Sequence, residues 1–304
     1  MPSETSEPTI IVGYDGREEA GDAVALARVL AAPLGARIVL GYVYPLWRPL
    51  SNDSEYVAAA RAEADAALAG AAVGDDVERV AVPAPSAAHG LHDLANERHA
   101  QLVVVGASRH AGVGRVVPGS VGQKLLHGSP CAVAIAPRGY AAEANHLRVI
   151  QVAFDLTDES EAALRKAAEI AVAEGATIRV VAVVDPVEYG YTPVLGSYAI
   201  SYADGLKKEL EERTRALVDE LPSEVRADAK VQRGNVCAHI LGEAKNGVNL
   251  LVMGSRGYGP FQSVLAGSVS SRVIDGAPCP VLVVPRGSRS AIVDERDAEA
   301  VSVH

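Results

Sequence analysis

The chain has 304 residues, about twice the common domain size of roughly 100–150, and two domains are the natural expectation. With 49% hydrophobic and 22% charged residues it has the composition of a soluble globular protein, which excludes disorder throughout, and no run of about 18 apolar residues offers a membrane span. The 38 acidic against 28 basic residues leave a net charge of -10, which repels phosphate backbones and anionic lipid and argues against a nucleic-acid partner.

In chain order, an apolar run at Thr9 to Val12 leads to Asp15 and an Ala-rich helical pattern, then to a second apolar run at Arg37 to Val43. A long helical stretch (Tyr56 to Ala69), a short strand (Glu78 to Val82) and another helix (Ala87 to Arg98) follow. A strand ending at Gly106, a loop, a short helix and a last strand, Ala132 to Ala136, complete the first series. The polar segment Arg138 to His146, with Gly139 and Asn145, reads as a linker. The same series then recurs: Val149 to Ala153, Thr177 to Val184, Leu206 to Leu221, Asp228 to Gln232, Cys237 to Asn246, Leu250 to Met253, Val269 to Asp275 and Val281 to Val284.

The recurrence is visible residue by residue. PGSVGQKLLHGSPCAVAIAPRG, ending at Gly139, answers AGSVSSRVIDGAPCPVLVVPRG, ending at Gly287, at a constant offset of 148 that also relates Gly106 to Gly254. IIVGYD, ending at Asp15, answers IQVAFD, ending at Asp155, at an offset of 140. The second copy therefore holds about eight extra residues between these anchors, for which the Tyr-rich stretch Tyr189 to Tyr202, without clear periodicity, is the natural place. Strands alternating with helices predict an α/β fold of two tandem doubly wound, Rossmann-like domains, each a five-stranded parallel sheet flanked by helices. The expected boundaries are 1–140 and 145–287, with 288–304 a disordered, charged tail. The last strand of each copy is an edge, so the strands ending at Ala136 and Val284 are expected to pair and make the two halves a pseudo-dimer.

Ligands of open α/β sheets sit beyond the carboxyl ends of the strands, where strand order reverses. Asp155 and Gly254 stand at such ends. After Gly254 the pattern runs Gly-x2-Gly-x9-Gly-Ser through Gly257, Gly267 and Ser268. Glycines let backbone N–H groups approach an anion closely, and a helix starting near Ser268 offers unpaired donors and the positive end of its dipole. A polyphosphate fits between Gly254 to Gly257 and Gly267 to Ser270, with Asp155 placed to accept ribose hydroxyls.

This spacing, repeated with the early Asp and the closing PCPVLVVPRG, resembles the ATP-binding signature of the universal stress protein family over nearly the whole chain. The resemblance implies that Asp155 meets the ribose or base and that the backbone near Val183 meets adenine. It implies that Gly254, Gly257, Gly267, Ser268, Val269 and Ser270 surround the phosphates of ATP, with Mg²⁺ where it accompanies them. It also implies a nucleotide-dependent stress-response sensor or signalling module, and homodimers of the whole chain are a further expectation. In the first copy Asp15, Gly106, Gly119, Ser120 and Val121 mark a second nucleotide site, but Arg109 stands where the other has Gly257, and Gly122 where it has Ser270. Arg109 either closes that loop or brings its guanidinium to a phosphate from a changed direction.

Signals for an enzyme are missing. Gly119-Ser-Val-Gly-Gln-Lys124 has the wrong spacing for a Walker loop, and no GxGxxG opens a helix after the first strand. No catalytic residue and no metal ligand is assigned; His89, His92 and His99 read as a solvated helix face. Slow hydrolysis or transfer of the bound nucleotide is the alternative to pure binding. Cys131, Cys237 and Cys279 form no CxxC pair and read as reduced packing thiols. The opening MPSETSEPT lacks the features of a secretory signal, which makes the cytoplasm the expected location.

Overall fold

The computed structural model describes residues 7–46, 54–74, 76–143, 146–185, 196–255 and 269–285. The first half runs β1 (Thr9–Gly13), α1 (Glu18–Leu34), β2 (Arg37–Pro45), α2 (Ser54–Ala69), β3 (Glu78–Ala84), α3 (Ala87–Glu97), β4 (Leu102–Gly106), α4 (Ser120–Gly128) and β5 (Ala132–Ala136). A short helix, α5 (Tyr140–Glu143), lies within the segment read as a plain linker. The second half repeats the order as β6 (Val149–Phe154), α6 (Asp158–Glu174), β7 (Thr177–Val184), α7 (Gly196–Asp219), β8 (Arg226–Arg233), α8 (Val236–Ala244), β9 (Leu250–Gly254), α9 (Val269–Gly276) and β10 (Val281–Val284).

The ten strands form one sheet in the order β3-β2-β1-β4-β5-β10-β9-β6-β7-β8. Every neighbour within a half is parallel, and the halves join where β5 and β10 pair antiparallel, Val281 opposite Ile135, Leu282 opposite Ala134 and Val283 opposite Val133. Because the repeat offset makes Ala134 and Leu282 equivalent, this ladder is self-complementary, as an isologous dimer contact would be. The expected pairing of the two last strands is therefore present, and it covers both edges.

Strands buried on both faces need apolar side chains on both, and β1 supplies them with Ile10, Ile11 and Val12, all fully buried. One core layer, under α1, α2, α6 and α7, runs unbroken across the join; the other lies under α3, α4, α8 and α9. α1 and α6 pack on one another across the pseudo-twofold axis. Each ends on a glycine in the left-handed region, Gly35 at φ 55 and Gly175 at φ 66, which a residue with a Cβ adopts only at a cost.

Asp22 of α1, 1% exposed, accepts the backbone N–H of Gly139 and of Ala141, each at 2.8 Å. The first turn of α5 is thereby tied to α1. Its counterpart at the offset of 140 is Ala162, so only one half carries this tie.

α7 starts at Gly196, ten residues before the expected Leu206, and has 24 residues against 16 in α2. The difference of eight matches the extra residues of the second copy. Part of the Tyr-rich stretch, 196–202, is therefore helical, while 189–195 lies outside the described residues, as does the tail at 288–304.

Candidate functional site

Strand order reverses between β1 and β4, where the crossovers of the first half leave to opposite faces. A cavity of about 450 Å³ opens at the carboxyl ends of these strands. Asp15, Gly106, Arg109, Gly119, Ser120 and Val121, the six residues marked in this half from the sequence, all line it. Asp15 comes from the β1–α1 turn, Gly106 and Arg109 from the end of β4 and its loop, and the other three from the start of α4.

The N-cap of α4 is Gly119 itself, with Ser120 the first helical residue. Gln123 is the residue that closes the first turn, its N–H donating to the Gly119 carbonyl at 2.9 Å. The N–H groups of Ser120, Val121 and Gly122 precede it and have no intrahelical acceptor, so they and the helix dipole make the cavity wall a donor surface for an anion.

Arg109 does not collapse the loop. The segment after β4 folds on itself through a bridge between Ala107 and Pro118, with Ser108 N–H donating to Val117 O at 2.7 Å and Ala111 N–H to Ser108 O at 2.8 Å. The Arg138 guanidinium donates to the Arg109 carbonyl at 3.2 Å. Val116, fully buried, donates its N–H to Ala277 O of the other half at 3.2 Å. Arg109 stands exposed on the rim of a cavity that stays open.

Asp15 accepts the Arg17 N–H at 3.1 Å, and its other oxygen faces the Arg17 guanidinium at 3.4 Å in an exposed pair. Its charge reaches Tyr42, whose phenol is raised above its ordinary value by burial first, then by Glu63 and Asp15.

The floor of the cavity was not marked from the sequence. Gly13, Gly41, Val43 and Leu91 form it, and a Cβ at Gly13 would stand 2.9 Å from Leu91 Cδ1. A lone glycine inside an apolar strand run signals close approach of another group, and Gly41 carried that signal. Val43 is the counterpart of Val183 at the offset of 140. Gly106 has a second duty besides lining the loop: a Cβ there would lie 2.2 Å from the Glu19 carbonyl oxygen, so α1 reaches β4 this closely only over glycine.

In the second half Asp155, Val183, Gly254, Val269 and Ser270 come together around a cavity of about 110 Å³. Gly257, Gly267 and Ser268 lie outside the described residues. Gly254 repeats the packing role of Gly106, with a Cβ 2.6 Å from the Glu159 backbone. Leu206 and Leu210 of α7 make one wall. Asp155 accepts from Thr157 Oγ1 at 2.5 Å and from Thr157 N–H at 3.3 Å, and Thr157 with Ser160 forms the capping box of α6. The turn takes a left-handed residue in both halves, Gly16 at φ 76 and Leu156 at φ 64; the leucine holds a strained conformation beside the site.

Away from these cavities, His89 and His92 both meet Asp93, at 3.3 and 3.2 Å, on the exposed side of α3. The three cysteines are free; burial pushes the Cys131 thiol up to about 11 and that of Cys279 to about 12, which keeps both protonated and unreactive at neutral pH.

The family model of the universal stress protein family matches residues 8–137 and again 146–285. A universal stress protein of Mycobacterium tuberculosis is 28% identical over 298 residues, covering 91% of this chain and 99% of its own. A shorter one of Thermus aquaticus is 36% identical over 141 residues, 45% of this chain and 98% of its own. The crystal structure of a universal stress protein from Archaeoglobus fulgidus superposes with a TM-score of 0.64 at 19% identity, covering 92% of this chain and 98% of that one. Two copies of the α/β unit, joined through their last strands and each matched separately, lead to one conclusion: this chain belongs to the universal stress protein family, in its tandem form.

Proposed function

We propose that the protein binds ATP at the carboxyl ends of the strands in both halves, Mg²⁺ arriving with the phosphates, and that occupancy is the signal it passes on in a stress response. The observation that carries this reading is the first-half cavity. Six residues spread from position 15 to 121 converge on one space of about 450 Å³, within the roughly 300–1,000 Å³ of small-molecule sites. Its parts suit the parts of the ligand. The apolar floor of Gly13, Gly41, Val43 and Leu91 fits a flat base, Asp15 accepts from ribose hydroxyls, and the free N–H groups of α4 meet phosphate oxygens.

A signal needs a route out of the site. The loop that closes the cavity is bonded through Val116 N–H to Ala277 O, at the carboxyl end of α9, and α9 begins at the second site with Val269 and Ser270. A ligand that binds against this loop therefore acts on the join between the halves.

Calorimetry on the whole chain tests the reading. The expected stoichiometry is two ATP per chain, falling to one in Gly119→Glu and to one in Gly257→Glu. Gly119 has extended backbone at φ −70, and the nearest atom to an added Cβ is 3.8 Å away, so the first variant introduces a carboxylate without strain. Undiminished ATP binding in both variants would sink the proposal. Single-turnover phosphate release from the same samples separates a binding module from a slow hydrolase.

A further inference from the structure

We propose that the first-half site selects nucleotides by phosphate number through the Arg109 guanidinium, with Arg17 as a second cation. This rests on the nucleotide reading above. The starting observation is a set of three replacements at one cavity. Arg17, Arg109 and His110 all line the first-half cavity, where the second copy has Thr157, Gly257 and Tyr258 in the corresponding places. In a chain of net charge -10, these changes put two arginines at the mouth of this cavity.

Arg109 is presented rather than merely exposed. Its carbonyl is held by Arg138, the next residue's N–H donates to Ser108 Oγ at 3.3 Å, and Ala111 closes a turn onto Ser108. The backbone that carries the side chain is thus fixed before any ligand arrives, which lowers the ordering cost of binding. Among the described residues no carboxylate pairs with its guanidinium.

Charge is also divided along the cavity. Asp15 lies in the β1–α1 turn and Arg109 in the loop after β4, beside the free N–H groups of Ser120 and Val121, with Glu19 of α1 packed on Gly106 between them. A ligand with a ribose at the first end and a chain of phosphates toward the second matches both. The planar fork of arginine meets two phosphate oxygens at once, as a glycine cannot. Arg17 is held by Asp15 in an exposed pair at 3.4 Å, and a ribose hydroxyl that takes Asp15 frees it toward the phosphates.

The test uses the full chain carrying Gly257→Glu, so that the first half is the site observed, and titrates ATP, AMP and tripolyphosphate by calorimetry. Arg109→Gln is expected to weaken ATP and tripolyphosphate about tenfold, the worth of one charged hydrogen bond, and to leave AMP within about twofold. Arg109→Lys keeps the charge and is expected to recover most of the loss. Equal weakening of ATP and AMP overturns the inference, and so does tighter ATP binding in Arg109→Gly, which would make the arginine an obstruction. If the Gly257→Glu chain binds neither ATP nor AMP, the nucleotide reading of this half falls, and the selection by Arg109 falls with it.

Discussion

The two halves share a sheet, a strand order and an early aspartate, yet they fill the space under their third helices with opposite chemistry. Beneath α3 the first half places Ile11, Val39, Val80, Val82 and Leu94, and this layer is apolar. Beneath α8 the corresponding residues are Gln151, Arg179, Lys230, Gln232 and Glu243. These form a polar network beside the apolar residues Val181, Ile240 and Leu251 of the same layer. Glu243 takes Lys230 at 2.9 Å and Gln232 at 3.2 Å and faces Arg179 at 3.8 Å, while Gln151 Nε2 donates to Ile240 O at 2.9 Å. The network is incompletely satisfied: Gln151 Oε1, Arg179 Nε and Gln232 Oε1 are buried with no hydrogen-bond partner. The opposite layer, under α1, α2, α6 and α7, stays continuous across both halves. Both layers cross the join, and the divergence is confined to the part of one layer that lies under α3 and α8.

The described walls of the two cavities also differ. In the first half the strands are bare, Gly13 and Gly41, and bulk comes from Leu91 and Leu94 of α3. In the second half the strands carry Ala153 and Val181, the latter fully buried, and the helix offers Ile240 and Glu243. Leu206 and Leu210 of α7 add a further wall there.

Four measurements break or sharpen this comparison. The largest effect is expected where the halves agree: Gly106→Ala and Gly254→Ala each drive a Cβ into helix backbone and should cost about 3 kcal/mol in chemical denaturation. A loss in only one would show that α1 and α6 do not approach the sheet alike. Asp22→Ala, unique to the first half, should cost about 2 kcal/mol, because two N–H groups lose a charged acceptor, whereas Ala162→Gly at the matching place should cost only the helix penalty of about 1 kcal/mol.

Glu243→Gln should cost about 1 kcal/mol at pH 7, with a definite pH dependence. The Glu243 carboxyl is lowered below its ordinary value, chiefly by the hydrogen bond from Lys230, with burial opposing. Its contribution is therefore complete above the unfolded-state value, near 4.5, and is lost as pH falls through the lower folded value. Parent and variant stabilities should converge on acidification, and a constant gap down to pH 3 would refute the network. The smallest contrast is at the helix starts: Thr157→Ala removes the cap of α6 and should cost about 1 kcal/mol, while Arg17→Ala at α1, whose side chain makes no capping bond, should stay within about 0.5 kcal/mol.

Much of the first-half site was legible before any coordinates. Asp15, Gly106, Gly119 and Ser120 were found because they repeat positions of a second, better preserved copy, and repetition is a property of sequence alone. Gly13, Gly41 and Leu91 were not found, since nothing in a strand run says which helix will cross it or how closely. The fate of Arg109 was open for the same reason: whether it closes the loop depends on Arg138 and Ser108 holding its backbone, a contact across 29 residues in the case of Arg138.

By itself the sequence determined the duplication, the α/β class, the order of elements and the pairing of the last strands. Periodicity, offset and the cost of an open edge are local or pairwise facts. Tertiary structure alone decided that the last strands pair antiparallel, that eight extra residues lengthen α7, and that Gly106 and Gly254 serve helix packing as well as the loop. Those outcomes depend on distances between segments far apart in the chain, where the presence of one Cβ decides how closely a helix can lie.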